Sequence, residues 1–159
     1  MFPGDQLMHE SDWRLRQAHR LLQAGILLFL LALCIGLAVP KFTVPRLALS
    51  AHLLGLMQGI FVVVIGLLWP RLRFTRSVSR LSFGLVLYGC FAAWTANILA
   101  AIWGAGNSML PIAAGHARGT VLQEAIIKVV LRTAAVSLIA AVAFVAWGLR
   151  TRGVDRSRE

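Results

Sequence analysis

Apolar positions along the chain fall into four long runs, parted by short segments that are polar or basic. About 20 apolar residues carry a helix across a bilayer. The pattern therefore predicts four membrane-spanning helices, over about 19–39, 47–69, 79–103 and 124–149. Pro40 ends the first run, and Trp69-Pro70 ends the second, where proline cannot continue the helix ladder. The short turn from Lys41 to Arg46 makes the first two spans antiparallel neighbours. Between the third and fourth runs lies GAGNSMLPIAAGHARGTVLQ, residues 104–123, whose four glycines and one proline exclude a span and suggest an outer loop or lid. Residues 1–18 form a polar and basic lead-in: 1–12 are expected to be poorly ordered, with Ser11 or Asp12 capping a helix that begins near Trp13. Residues 151–159 form a basic, frayed tail. The fold class expected is all-α, an integral membrane four-helix bundle occupying residues 19–150.

Composition agrees with this reading. The chain has 159 residues, 58% of them hydrophobic, and a mean hydropathy of +0.77. Soluble domains are usually about 45–50% apolar. The first run is too long, and lacks the small-residue cleavage site, to be a removable signal peptide. Net charge is +10, and its placement matters more than its size. With four crossings, Arg14, Arg16, Arg20, Arg71, Arg73, Arg76, Arg80, Arg150, Arg152, Arg156 and Arg158 fall on one side. Lys41, Arg46, Arg118, Lys128 and Arg132 fall on the other. The positive-inside rule then puts both termini in the cytoplasm, as in a multi-pass protein of a bacterial-type inner membrane. The basic segments face anionic membrane lipid, not nucleic acid. Trp69, Trp103 and Trp147 at span ends suggest an aromatic belt.

Cys34 and Cys90 lie within apolar runs and read as buried free thiols. No carboxylate lies inside a span, because Glu124 is at an edge, which argues against a proton-coupled transporter. There is no P-loop, no GxSxG and no Ser/His/Asp pattern.

The candidate chemistry sits in the second and third runs. His52 and Gln58 are the strongly polar side chains of LALSAHLLGLMQGIFVVVIGLLW, and hydrocarbon offers them no water. At roughly 100° per residue, Gly55, Gly59 and Gly66 fall close to the His52 side of the helix. That face is a groove for a flat body or for another helix. A single histidine suffices as the axial ligand of a porphyrin iron, whereas zinc needs a cluster the sequence lacks. The alternative for His52 is a neutral imidazole bonded to a backbone carbonyl on another span. Gln58 lies about 120° away from His52, so it either reaches a site across an interface or glues helices together. Tyr88, Trp94 and Asn97 of the third run supply a hydroxyl, an aromatic wall and an amide suited to a small aromatic substrate. Glu124 and Lys128 are spaced to pair along the fourth helix, and Arg132 lies deeper, where it either snorkels or meets a haem propionate. His19 reads as interfacial and His116 as a loop histidine.

The segments AVPKFTVPRLALSAHLLGLMQGIFVVVIGLLWP, LYGCFAAWTANILAAIWGAGNSMLPIA and QEAIIKVV, ending with WGLR, resemble hydroxylaminobenzene mutase over about residues 20–150. The most specific element is SAH followed, six residues after the histidine, by a side-chain amide and glycine. That family is in turn similar to the more distant styrene oxide isomerase, a four-span trimer holding haem b near subunit interfaces. The resemblance implies haem b with His52 as its axial ligand and Gln58 as the pocket amide; with the residues read above, Gly55, Gly59 and Arg132 are then expected to line the haem, and Gln58, Tyr88, Asn97 and Trp94 to surround the substrate. It implies a homo-oligomer, a homotrimer by analogy, that turns aryl hydroxylamines into ortho-aminophenols. An epoxide isomerase and a non-catalytic membrane subunit are the alternatives. Two positions depart from the families' pattern: Gln58 stands where asparagine is usual, and Ala93-Trp94 where an asparagine precedes the aromatic, with Asn97 one turn later.

Overall fold

The computed structural model describes residues 3–150, with side chains from Trp13 onward. Its elements are α1 (Pro3–Ala38), a 3-10 turn (Val39–Lys41), α2 (Pro45–Leu68), a second 3-10 turn (Trp69–Arg71), α3 (Arg76–Trp103), the single turn α4 (Pro111–Ala114) and α5 (Val121–Gly148). No strand occurs among the described residues. Four stretches are long and apolar enough to cross a membrane: Trp13–Lys41, Pro45–Arg71, Arg76–Trp103 and Val121–Gly148. Each expected span is present and extends a few residues further than the hydropathy alone indicates. The chain is an all-helical membrane protein.

Local chemistry explains the boundaries. α3 starts at Thr75, whose side chain accepts from the Val78 N–H, and ends at Gly104, which takes the left-handed conformation (φ 63°) that a side chain disfavours. α5 opens with a reciprocal capping box between Thr120 and Gln123, three residues before the expected start at Glu124. α1 is continuous from Pro3, so Ser11 and Asp12 lie inside the helix and do not cap a start at Trp13. The tail 151–159 lies outside the described residues.

The close approaches run in chain order: α1 on α2, α2 on α3, α3 on α5. α5 comes close to neither α1 nor α2, so the expected bundle is an open row with α3 between α2 and α5. Small residues make these seams. A Cβ on Gly25 would lie 2.8 Å from the Gly59 carbonyl oxygen, and one on Gly59 would lie 2.9 Å from Phe29. On the other seam, a Cβ on Gly89 would meet Leu138 of α5 at 2.6 Å. Lipid gives helices no hydrophobic reason to associate, so such close packing carries the assembly.

Both ends are tied. At the basic end the Arg14 guanidinium donates to the carbonyls of Leu72 (3.3 Å) and Phe74 (3.0 Å). Gln17 Oε1 accepts from Trp69 Nε1 (3.1 Å) and Ser79 Oγ (2.8 Å). Trp69 is therefore a buried core residue, packed edge-on against Phe74 and Phe83, and not part of an aromatic belt. Its N–H found a partner inside the protein. At the opposite end the Glu124 carboxylate accepts the backbone N–H groups of Gly106, Asn107, Ser108 and Gly119 and the Ser108 hydroxyl. That carboxylate organises the 104–120 loop, and this replaces the expected pairing with Lys128. Cys34 is exposed and Cys90 buried, and both are free.

Gly59→Val is expected to cost about 1–3 kcal/mol through overpacking of the α1–α2 seam. Gly84→Ala, where an added Cβ meets nothing within 4 Å, is expected to be neutral. Thermal midpoints of the two variants in detergent check this.

Candidate functional site

α2 turns His52 toward α1, where the ring is half-buried. Its Nδ1 lies 2.7 Å from the carbonyl oxygen of Ala32. A carbonyl only accepts, so Nδ1 carries the hydrogen, and in the neutral ring Nε2 is left with a lone pair. No partner for Nε2 occurs among the described residues. The ring fits because Gly36 has no side chain: a Cβ there would come within 2.6 Å of Cε1 and Nδ1. Ala32 and Gly36 are four apart and share one face of α1. Neither was found from the sequence, since neither carries a polar group. Their one signal is small size at helical spacing.

One turn along α2, Gly55 leaves a notch that Trp94 of α3 fills. A Cβ on Gly55 would lie 2.5 Å from Trp94 Nε1 and 2.6 Å from the Ala32 Cβ. Ala32 therefore joins the two halves of the site, holding His52 through its carbonyl and bordering the Trp94 notch through its methyl group. A further turn along, Gln58 is 7% exposed. Gln58 Oε1 and Trp94 Nε1 are both buried without a hydrogen-bond partner. Trp94 itself is 9% exposed. Asn97, one turn past Ala93, is buried, and its Nδ2 donates to the Ala93 carbonyl of its own helix at 3.0 Å.

The remaining expected residues fall elsewhere. Gly55 and Gly59 do not line an open groove, because Gly25, Phe29 and Ala32 of α1 and the indole of Trp94 occupy it. Tyr88 is 49% exposed and bonds Thr133 of α5 at 2.8 Å. The Thr133 hydroxyl faces the carbonyls of Val129 and Val130, so the Tyr88 hydroxyl is the donor and is already engaged. Arg132 is exposed on α5, which does not approach α2, so it does not meet His52 within one chain. His19 and His116 are exposed, as expected of interfacial and loop histidines. Among the described residues no three His, Cys, Asp or Glu side chains gather, so a metal at this site would rest on His52 as its one protein ligand. A separate cavity of about 550 Å³ opens between the first turns of α2 and α4, lined by Arg46, Ser50 and the Met109–Ala113 segment.

The family model for styrene oxide isomerase matches residues 17–150. Hydroxylaminobenzene mutase HabB of Ectopseudomonas oleovorans is 42% identical over 142 residues, covering 89% of this chain and 87% of that protein. Hydroxylaminobenzene mutase HabA of the same organism is 41% identical over 111 residues, 70% of this chain and 82% of that protein. No solved structure matches the chain. The resemblance read from the SAH and PIA segments is borne out, and the protein is an enzyme of the isomerase or mutase class.

Gln58→Met keeps the side-chain length and deletes a carbonyl that has no partner. The thermal midpoint is expected to stay level or rise, because no hydrogen bond is lost and a buried polar group is removed. A clear drop would show that the amide bonds within the fold.

Proposed function

The chain belongs to the styrene oxide isomerase family, and we propose that it is a membrane mutase converting aryl hydroxylamines to ortho-aminophenols. Identity to HabB over most of both chains supports the reaction class. The observation that carries the chemistry is the divided imidazole of His52, one nitrogen fixed to Ala32 and the other holding a lone pair.

The net reaction keeps every atom of the substrate. The N–O bond breaks, a C–O bond forms at the ortho carbon, and the proton lost from that carbon is balanced by one gained at nitrogen. No external electrons and no nucleotide are required. The demand on the protein is to hold the N–OH group and ring in one orientation and to limit bulk water around a cationic aryl species. Trp94 offers an aromatic face to that cation. Gln58 of α2 and Asn97 of α3 are buried amides that such a site could use.

The resemblance to styrene oxide isomerase implies haem b, and the residues present fit it. A proximal histidine is oriented by a hydrogen bond from its other ring nitrogen, as His52 is by Ala32. When bound, haem iron supplies a Lewis acid for the hydroxylamine oxygen. His52 would be its protein ligand. Gly55 and Gly59 would not line it, since α1 and Trp94 fill their groove. Tyr88 and Arg132 would reach a site at His52 only from a second copy of the chain, which accords with a homotrimer. The distribution of arginines supports cytoplasmic termini in a bacterial-type inner membrane.

The match to the styrene oxide isomerase model favours a second reading, the isomerisation of aryl epoxides at the same His52 site.

Purified protein is expected to convert phenylhydroxylamine to 2-aminophenol and to show a Soret band. His52→Ala is expected to abolish both. A colourless protein with full activity would remove the haem from this reading and leave the mutase. Gly36→Val, which pushes the imidazole off Ala32, is expected to weaken haem retention by about 10–100-fold, the usual loss when the partner that orients a ligand is disturbed. Haem titration of the stripped protein measures it.

A further inference from the structure

A second built site lies away from His52, at the end of the molecule opposite the arginine-rich segments. The cavity of about 550 Å³ between α2 and α4 has Arg46 and Ser50 on one wall and Met109, Leu110 and Ile112 on the other. That volume is in the range of small-molecule sites. The loop wall is held in place: the Glu124 carboxylate bonds the backbone at Gly106, Asn107 and Ser108 before α4 and at Gly119 after it. Of the residues that line the cavity only Arg46 is charged, and none is acidic. Ser50 adds a hydroxyl, and the other side chains are apolar.

Further along α2 runs a stripe of exposed apolar side chains: Leu49, Leu53, Met57, Ile60, Val64 and Leu67. At about 100° per residue, each falls within about 60° of Arg46, so the guanidinium stands at the head of the stripe. His52 lies about 120° away, so its site belongs to another face of the helix. The rise from Arg46 to Met57 is about 16 Å, or half the hydrocarbon core of a bilayer. A cation, a cavity beside it and an apolar track one leaflet long match one kind of molecule. We propose that the cavity seats the headgroup of an anionic phospholipid of the phosphatidylglycerol class, with an acyl chain lying along Leu49, Leu53 and Met57. The phosphodiester accepts from the Arg46 guanidinium, a charge-assisted pair, and the Ser50 hydroxyl offers a further bond. A zwitterionic lipid brings its own ammonium group, for which the cavity holds no carboxylate. A second copy of the chain answers the cation no better. Of the six acidic residues, five precede the first span or follow the last, and Glu124 is spent on the loop amides.

The test uses the full chain, purified in detergent and washed free of cell lipid. Native mass spectrometry reads bound lipid and oligomeric mass as dioleoylphosphatidylglycerol, dioleoylphosphatidylcholine or glycerol phosphate is added. The wild type is expected to bind phosphatidylglycerol about tenfold more tightly than phosphatidylcholine, and equimolar glycerol phosphate is expected not to displace it. Arg46→Gln is expected to lose the preference, while Arg118→Gln, the same charge change on the loop, keeps it within about twofold. Arg46 is exposed, so lipid-free Arg46→Gln is expected to keep the wild-type thermal midpoint, which separates loss of the site from loss of the fold. Ser50→Ala leaves the charge in place and is expected to weaken phosphatidylglycerol alone, by about threefold. Equal binding of the two lipids by the wild type overturns the proposal, and so does a preference that survives Arg46→Gln. Displacement by glycerol phosphate assigns the cavity to a free phosphate ester and overturns the lipid. A changed oligomeric mass in Arg46→Gln, with the lipid preference intact, gives the face to a second copy and overturns it as well.

Discussion

The seam between α1 and α2 governs the molecule. Gly25 and Gly59 let the two backbones come within side-chain distance of each other, and Gly36 leaves room for an imidazole. Nothing else places the Ala32 carbonyl 2.7 Å from His52 Nδ1. In lipid the contact cannot come from hydrophobic exclusion, because tails and side chains are equally apolar. It comes from the absence of Cβ atoms at three positions. The same absence explains why the α2 groove accepts a helix and not a flat guest: α1 fits it too closely.

Polar groups in the apolar stretches then fall into three states. Some turn back on a helix backbone, as Asn97 does on Ala93 within α3 and Ser137 of α5 does on Leu85. Some bond another side chain across a seam, as Tyr88 does with Thr133 and Gln17 with Trp69 and Ser79. These two states are structural, and they remove Tyr88 from the list of free donors. The third state is a buried group left bare, as at Gln58 and Trp94. An unmade hydrogen bond in a dry site costs about 1–3 kcal/mol. Both groups lie within two turns of His52 along α2 or against Gly55, one turn from it.

The spans were legible in the sequence because bilayer thickness sets a length that apolar runs either meet or miss. His52 and Gln58 were legible because polar side chains in such runs are few. Partners were not legible. Trp69 looked interfacial by position, yet the face it presents is set by Gln17 on another helix. The Gly55–Gly59 face was open to two occupants in the sequence, and only packing decided for α1. Ala32 and Gly36 do their work through what they lack, which leaves no mark on a hydropathy pattern. Glu124 showed its charge at a helix start but not the four loop amides it gathers, since those come from residues up to 18 positions away. Thr120 and Gln123 did carry a readable capping box, hidden by the apolar run that seemed to begin after it.

The two departures from the families' pattern meet at one place in the fold. The resemblance puts an amide where Ala93 stands, and alanine removes it. Asn97 sits one turn later and commits one N–H of its Nδ2 to the Ala93 carbonyl of its own helix. The residue next to Ala93, Trp94, carries its indole N–H into the Gly55 notch. An indole is rigid and only donates, so the group next to Ala93 differs in kind from an amide. On α2, Gln58 has one methylene more than asparagine and reaches further from its backbone. Both departures thus fall on residues whose packing, and not their residue type alone, decides which polar atoms stay free.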